Sequence, residues 1–339
     1  MLLHVLIQVC CSNTFSYYFD KEPSRVIENL NMLHVGEAYH IRSSSFIGMV
    51  GGAVYFYTTT ALEVMFDEVL FYNCTSFEAG AVYFKCANSA VAMYKVCGSD
   101  CFTESSGDSQ FAYLEPAHTK INRFDLSTLT HCAPSNRPTR DETITFYNGK
   151  QNVTYSNFSY NYCQYSASTV MRAATTLTAE ARFCTFFKNV VSLNYIIHTA
   201  TTGTCSFMVC NIIDNTSPSY VIYFSITGSI IDSIIQGNSH TLFYCNSGTL
   251  TITRGWVRHP LTLGTRYSFV SVTNSLDETF THNILHLSTQ QCYVVLENTY
   301  QPLPSPTECF VGSSDNNAIS FAKLFGFRVF FLSLFLISI

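Results

Sequence analysis

One short segment occurs twice. Gly51-Gly52-Ala53-Val54-Tyr55-Phe56 returns 28 residues later as Ala79-Gly80-Ala81-Val82-Tyr83-Phe84. A second element, a large apolar residue three positions before an Asn, appears as Leu70–Asn73, Phe158–Asn161, Phe186–Asn189, Ile212–Asn215, Ile235–Asn238 and Phe280–Asn283. From Asn161 the Asn spacings are 28, 26, 23 and 45 residues, the last close to two units of about 22. Five positions before the Asn, four of the six carry a small hydroxyl or thiol: Ser156, Cys184, Cys210 and Ser233. A repeat this short cannot bury its own apolar face, so it must stack on its neighbours as a solenoid.

What fills the repeat selects the solenoid. Fixed leucines and a 3.6-residue period are both missing, which argues against leucine-rich and helical repeats. Short β-branched and aromatic runs stand instead at 53–57, 81–84, 220–225, 228–235, 249–253, 267–273 and 293–296, separated by Gly, Asn or Ser. Short strands with tight corners at this period define an all-β chain, a parallel β-helix. Composition agrees: 47% of residues are apolar and only 12% charged, enough to fill a large core. The net charge of −5 excludes a basic nucleic-acid binder.

The repeat assigns roles. Gly51, Gly52 and Gly80 mark places where the chain bends or passes close to the coil beneath it. The apolar residue of each pair points inward. The Asn takes a left-handed corner and bonds to its equivalent one coil along, which predicts an internal ladder through Asn73, Asn161, Asn189, Asn215, Asn238 and Asn283. Where the repeat blurs, 98–110 and the charged, proline-bearing 133–142 read as loops thrown out from the coil. Residues 24–41 read as a cap over the first open edge. The expected organisation is a β-helix over 24–300, a linker over 301–322 and a hydrophobic tail over 323–339.

The ends and the cysteines speak to location. Residues 1–14 have a short apolar core followed by small polar residues, as in a signal peptide; a buried first strand is the competing reading. The tail fits either a marginal membrane anchor with Lys323 and Arg328 snorkelling, or a lipid-anchor signal that is removed; a buried last strand is the third reading. Sequons at Asn73, Asn152, Asn157 and Asn215 are candidate glycosylation sites. The 14 cysteines read as a mixture of packed thiols and bridges. Cys163, Cys184 and Cys205, 21 residues apart, are candidates for a stack, and Cys97 with Cys101 for a small closed loop.

The GGA and Phe-x-x-Asn elements together, at Gly51–Val54, Ala79–Val82 and the six pairs, resemble the repeats of the polymorphic membrane protein family of autotransported bacterial adhesins. The chain looks more closely like predicted surface proteins of protozoan parasites with a C-terminal hydrophobic anchor. The resemblance spans 45–300 and implies a right-handed β-helix displayed on a surface. There is one true GGA and no β-barrel translocator, so autotransport is not implied.

Chemistry is sparse. Asp214 and Asp232, with Arg254 and Arg258 further along, are the residues a polysaccharide lyase or hydrolase of this shape would have to bring into one groove. His282 and His286 have a helical metal spacing without the accompanying Glu, and read as an ordinary pair. Trp256, with exposed tyrosines, is a candidate for stacking on sugar rings, though core packing is the plainer reading. The expectation is a non-catalytic, adhesin-like surface protein without cofactor or metal, tethered to a membrane by its tail. It would be a monomer meeting a glycan or a cell-surface protein on the extracellular side. The runner-up is a polysaccharide-cleaving enzyme.

Overall fold

The computed structural model describes residues 38–258 apart from 105–106, 134–141, 175, 201–202 and 240, together with Phe15, Tyr18, Phe19, Arg25–Ile27, Val294–Leu296 and Thr299–Gln301. The chain winds as a parallel β-solenoid with three long sheets. The first sheet has ten strands, from Arg25–Ile27 and Ala38–Arg42 through Glu63–Asp67 to Leu250–Thr253. The second has nine short strands, from Ser45–Ile47 through Leu70–Tyr72 to Trp256–Arg258. The third has eight, from Val54–Thr58 through Val82–Cys86 to Thr241–Cys245. Each strand pairs with its equivalents one turn earlier and later, so hydrogen bonds run along the axis and no turn is stable alone.

Register gives the true period. Ser45, Leu70, Cys97, Thr128, Asn157, Thr185, Asn211, Ile234 and Trp256 align, so successive turns take 25, 27, 31, 29, 28, 26, 23 and 22 residues. The residue after each of these points inward. Phe46, Phe71, Leu129, Phe158, Phe186, Ile212 and Ile235 form one buried column, and Phe158 and Phe186 stack with centroids 5.2 Å apart. Burying one such ring contributes on the order of 2 kcal/mol.

Two corners flank every second-sheet strand, and both are left-handed. The first corner column is Ser43, Glu68, Lys95, Leu126, Tyr155, Phe183, Val209, Asp232 and Arg254; the second is Gly48, Asn73, Asp100, His131, Tyr160, Lys188, Asp214 and Gly237. All have φ between 45° and 67°. Such backbone costs a non-glycine residue roughly 1 kcal/mol. The rungs hold it in place: Leu126 N–H donates to Thr154 O, Phe183 N–H to Met208 O and Val209 N–H to Ile231 O.

The expected Asn ladder exists, one residue away from the corner it was assigned to. The left-handed residue precedes the Asn, and the Asn side chain turns inward. Asn161, Asn189 and Asn215 each donate from Nδ2 to the Oδ1 of the next Asn, at 3.0, 3.0 and 2.9 Å, ending on Asn238. Each Oδ1 also accepts from the backbone N–H one turn earlier. Each Nδ2 donates a second time, to the carbonyl of the inward apolar residue one turn back: Leu129, Phe158, Phe186 and Ile212.

Asn73 is not in this ladder. It is exposed at the left-handed corner itself, so Leu70–Asn73 is out of register by one and the true pair is Phe71–Cys74. The column reads Cys74, Cys101, Cys132 and then the four asparagines. The thiols imitate the amides: Cys74, Cys101 and Cys132 donate from Sγ to the carbonyls of Phe46, Phe71 and Gly98. Asn283 lies outside the described residues. The small residues five before the Asn line the other corner, where Ser127, Ser156 and Ser233 accept backbone N–H groups from the turn before.

Several expectations need correction. Residues 98–110 are not an ejected loop: Cys97–Ser99, Phe102–Thr103 and Ser109–Glu115 are rungs, and both Gln110 and Thr103 are buried. Arg25–Ile27 and Ala38–Arg42 are strands of the first sheet rather than a separate cap. The run 228–235 is two strands broken at Asp232. Val294–Leu296 pairs antiparallel with Thr299–Gln301, a hairpin and not a rung. Gly51 and Gly52 both have φ of 90° at the bend, and a Cβ on Gly80 would meet Gln110 O at 2.2 Å. Most of 133–142, and all of 1–14, 267–273 and 302–339, lie outside the described residues.

Candidate functional site

Strand alternation sends every second residue of the third sheet outward. One outward column is Tyr55, Tyr83, Tyr113, Thr145, Val170, His198, Tyr223 and Tyr244; beside it runs Tyr57, Lys85, Glu115, Tyr147 and Arg172. The tyrosines fall into two groups, one toward each end.

In the N-terminal group, Tyr55, Tyr83 and Tyr113 stack with centroids 5.0 and 5.4 Å apart, and Tyr147 continues the stack at 6.2 Å. Like side chains meet because adjacent rungs are one strand spacing apart, about 4.8 Å. Charges surround the rings. The Tyr113 hydroxyl donates to Glu115 at 2.8 Å, Lys85 reaches Glu115 at 3.4 Å, and Arg172 reaches Glu142 at 3.5 Å while lying over the Tyr147 ring. Burial, and then the nearby Glu78 and Asp108, hold the Tyr83 phenol well above its ordinary range. Burial likewise raises Asp108 and Glu142, with Arg172 opposing it in both. A cleft of about 190 Å³ opens beside this group, lined by Tyr57, Thr58, Lys85, Glu115, His118 and Asn148.

In the C-terminal group Tyr195, Tyr220, Tyr223 and Tyr244 pack together, with centroids 4.5 Å apart for Tyr195–Tyr223 and 5.2 Å for Tyr223–Tyr244. His198 packs edge-on against Tyr223. Burial, and then Arg172, pull the His198 imidazole down to about 4, so it is neutral at physiological pH.

The residues singled out from sequence fare differently. Asp214 sits at the second corner and Asp232 at the first, separated by the length of a second-sheet strand, so they do not share a groove. Asp232 is held by Arg254 through two contacts of 2.6 and 2.7 Å at the surface. Trp256 is half-buried in the second sheet; His282 and His286 lie outside the described residues. Among the sequons, Asn73 is exposed and Asn152 half-buried. Asn157 and Asn215 are fully buried, and the Asn215 Nδ2 that a glycan would occupy bonds inside the ladder. The folded protein therefore has no space for a glycan at either.

Cys163, Cys184 and Cys205 do not stack. The period there is 28 and then 26 residues, so 21-residue spacing puts them on three different sides of the coil. Cys101 is a buried free thiol, which leaves no Cys97–Cys101 loop; Cys97 is disulfide-bonded outside the described cysteines. Nine described cysteines are free and buried. Burial pushes the Cys86 thiol up to about 11 and Cys132 and Cys205 higher still, so these sulfurs are packing groups and not nucleophiles. Among the described residues no group of three His, Cys, Asp or Glu is placed to hold a metal ion.

Sequence reasoning missed the acid-rich tyrosine face, although both halves of the twofold motif contain its signal. The Tyr in Ala53-Val54-Tyr55-Phe56 and in Ala81-Val82-Tyr83-Phe84 stands between two inward residues, so it must face outward.

No protein-family model, no curated protein and no solved structure matches the chain. The fold defines a class, the parallel β-solenoids, and any particular role has to be argued from the tyrosine face.

Proposed function

We propose that this protein is a non-catalytic binding or display module, held outside the cell, whose third-sheet face grips an extended partner such as a glycan or a cell-surface protein. The observation that carries the reading is the acid-rich tyrosine group and its cleft. Phenol hydroxyls, the Lys85 ammonium, the Glu115 carboxylate and the Asn148 amide converge there on one rigid wall, beside the exposed Tyr57 ring. Such a set supplies donors, acceptors and an apolar surface to a polyhydroxylated chain, and a solenoid repeats it along the axis. The resemblance of the GGA and Phe-x-x-Asn motifs to adhesin repeats, the apolar 1–14 and the tail 323–339 support secretion and tethering. Among the described residues no helix is long and apolar enough to cross a membrane.

The test is binding of the full chain to a glycan array and to intact cells. Binding that falls at least tenfold in Tyr57→Ala and Lys85→Ala supports the reading; undiminished binding, or none to either surface, removes it. One observation favours a second reading, polysaccharide cleavage: two carboxyls raised by burial, Asp108 and Glu142, sit on the face that also carries Arg172. Release of reducing ends from a polysaccharide, abolished in Asp108→Asn, would replace the first reading by the second.

A further inference from the structure

The N-terminal end of the solenoid is left open in a particular way. The first sheet gains an extra rung, because Arg25–Ile27 pairs with Ala38–Arg42. The register step there is only 14 residues, Arg25 to Tyr39, whereas a full turn takes 22 to 31. A step that short returns to the first sheet without laying a rung on the other two. Accordingly, among the described residues no strand pairs with the outer edge of Ser45–Ile47 or of Val54–Thr58.

The side chains at this end show the missing rung. Ile47 is 61% exposed, Val50 80%, Tyr55 54% and Tyr57 68%, and Met49 and Phe77 are exposed beside them. Tyr83, which has a rung on both sides, is only 7% exposed. An open edge is ordinarily guarded by lysines, prolines or inward charges. Here residues 43–62 contain no charged residue and no proline at all. The opposite end differs: its last corner pair, Asp232 and Arg254, is charged and exposed.

We infer that this end is a self-association surface, on which two copies of the chain meet head to head through the open edges of the second and third sheets. The shape selects this occupant. Two strand edges lying at an angle must be satisfied together, and an extended peptide can add to only one of them. A second copy of the same end presents both edges at the same angle. A two-fold axis reverses strand direction, so the new pairs are antiparallel, and it brings identical surfaces together, which a charge-free rim permits without like-charge repulsion. The contact closes on itself and stops at a dimer, in place of the monomer expected from sequence. It is independent of any ligand on the tyrosine face.

The experiment is sedimentation velocity on the full chain in a density-matched nonionic detergent. The expected result is a species of twice the 38.0 kDa chain mass. The double substitution Ile47→Lys with Val50→Lys is expected to raise the dimer dissociation constant at least tenfold with an unchanged circular dichroism spectrum. Leu193→Lys, at an exposed apolar position on a later turn, is expected to leave the dimer intact. Should the lysine pair fail to fold, Val50→Cys with a short bis-maleimide decides the matter: a covalent dimer missing from the native chain supports the contact, and its absence overturns it. A native chain that stays monomeric at about 100 µM overturns the inference, as does a dimer that survives folded Ile47→Lys with Val50→Lys, or an open-ended polymer.

Discussion

One internal column runs through the solenoid in two chemistries. Toward the N-terminus it is Cys74, Cys101 and Cys132; toward the C-terminus it is Asn161, Asn189, Asn215 and Asn238. Both kinds of side chain bond the carbonyl of the inward residue one turn back, so both solve the same geometric problem. They differ in what else they do. The thiol is a weak donor that otherwise packs as a small apolar group. The amide donates twice and accepts twice, and so ties three turns together. The outer face divides in parallel, with carboxylates around Tyr55, Tyr83, Tyr113 and Tyr147 and none reported against the rings of Tyr195, Tyr220, Tyr223 and Tyr244. A repeat position is thus defined by the bond it must make, and the residue type records how much else it is asked to hold.

The largest expected effect breaks the amide half. Asn189 makes four side-chain hydrogen bonds, to Phe158 O and Asn215 Oδ1 as donor and from Asn161 N and Nδ2 as acceptor. Asn189→Ala strands those groups in a dry interior and is expected to cost about 3–5 kcal/mol, measured by denaturant unfolding.

Next comes pH, where the two halves have opposite signs. His198 in the C-terminal half is lowered from 6.5 to about 4, so the unfolded chain takes up its proton first as pH falls. Its contribution is unaffected above 6.5 and is lost between 6.5 and 4, up to about 3 kcal/mol. His198→Phe should flatten that slope. Asp108 and Glu142 in the N-terminal half are raised, so the folded chain keeps protons that the unfolded chain has released. Their contribution declines as pH climbs through the ordinary carboxyl range, and Glu142→Gln should remove part of that decline.

Cys101→Ala is expected to cost less than the Asn change, about 1–2 kcal/mol, since it removes two weak S–H contacts and leaves a small void. The smallest effect sharpens the comparison. Cys132→Asn extends the amide ladder by one turn, with Asn161 Oδ1 and Gly98 O already in place as acceptors. Thermal unfolding should then lie within about 1 kcal/mol of the native chain, new bonds offsetting the crowding.

The amide half was readable in the sequence because its inward residue is large and its partner is always Asn. The thiol half was not, because there the inward residue is Gly98 in one turn, where the Phe111 ring fills the space a Cβ would occupy. With Cys101 in place of Asn, neither part of the motif survives in that turn, and buried rungs over 98–110 read as a polar loop. Leu70–Asn73 misled for the opposite reason: an exposed corner Asn mimicked the ladder residue one place away. The tyrosine face escaped notice because its acids, Glu78, Asp108, Glu115 and Glu142, come from successive turns and are scattered in sequence.

The central claim is that neighbouring ladder amides act on one another directly across turns. A double-mutant cycle in denaturant unfolding tests it. Asn189→Ala and Asn215→Ala, one turn apart, should show a coupling of about 1 kcal/mol or more, and Asn161→Ala with Asn238→Ala, three turns apart, about 0.3 or less. Strict additivity for the adjacent pair, or equal coupling for both pairs, would contradict the account.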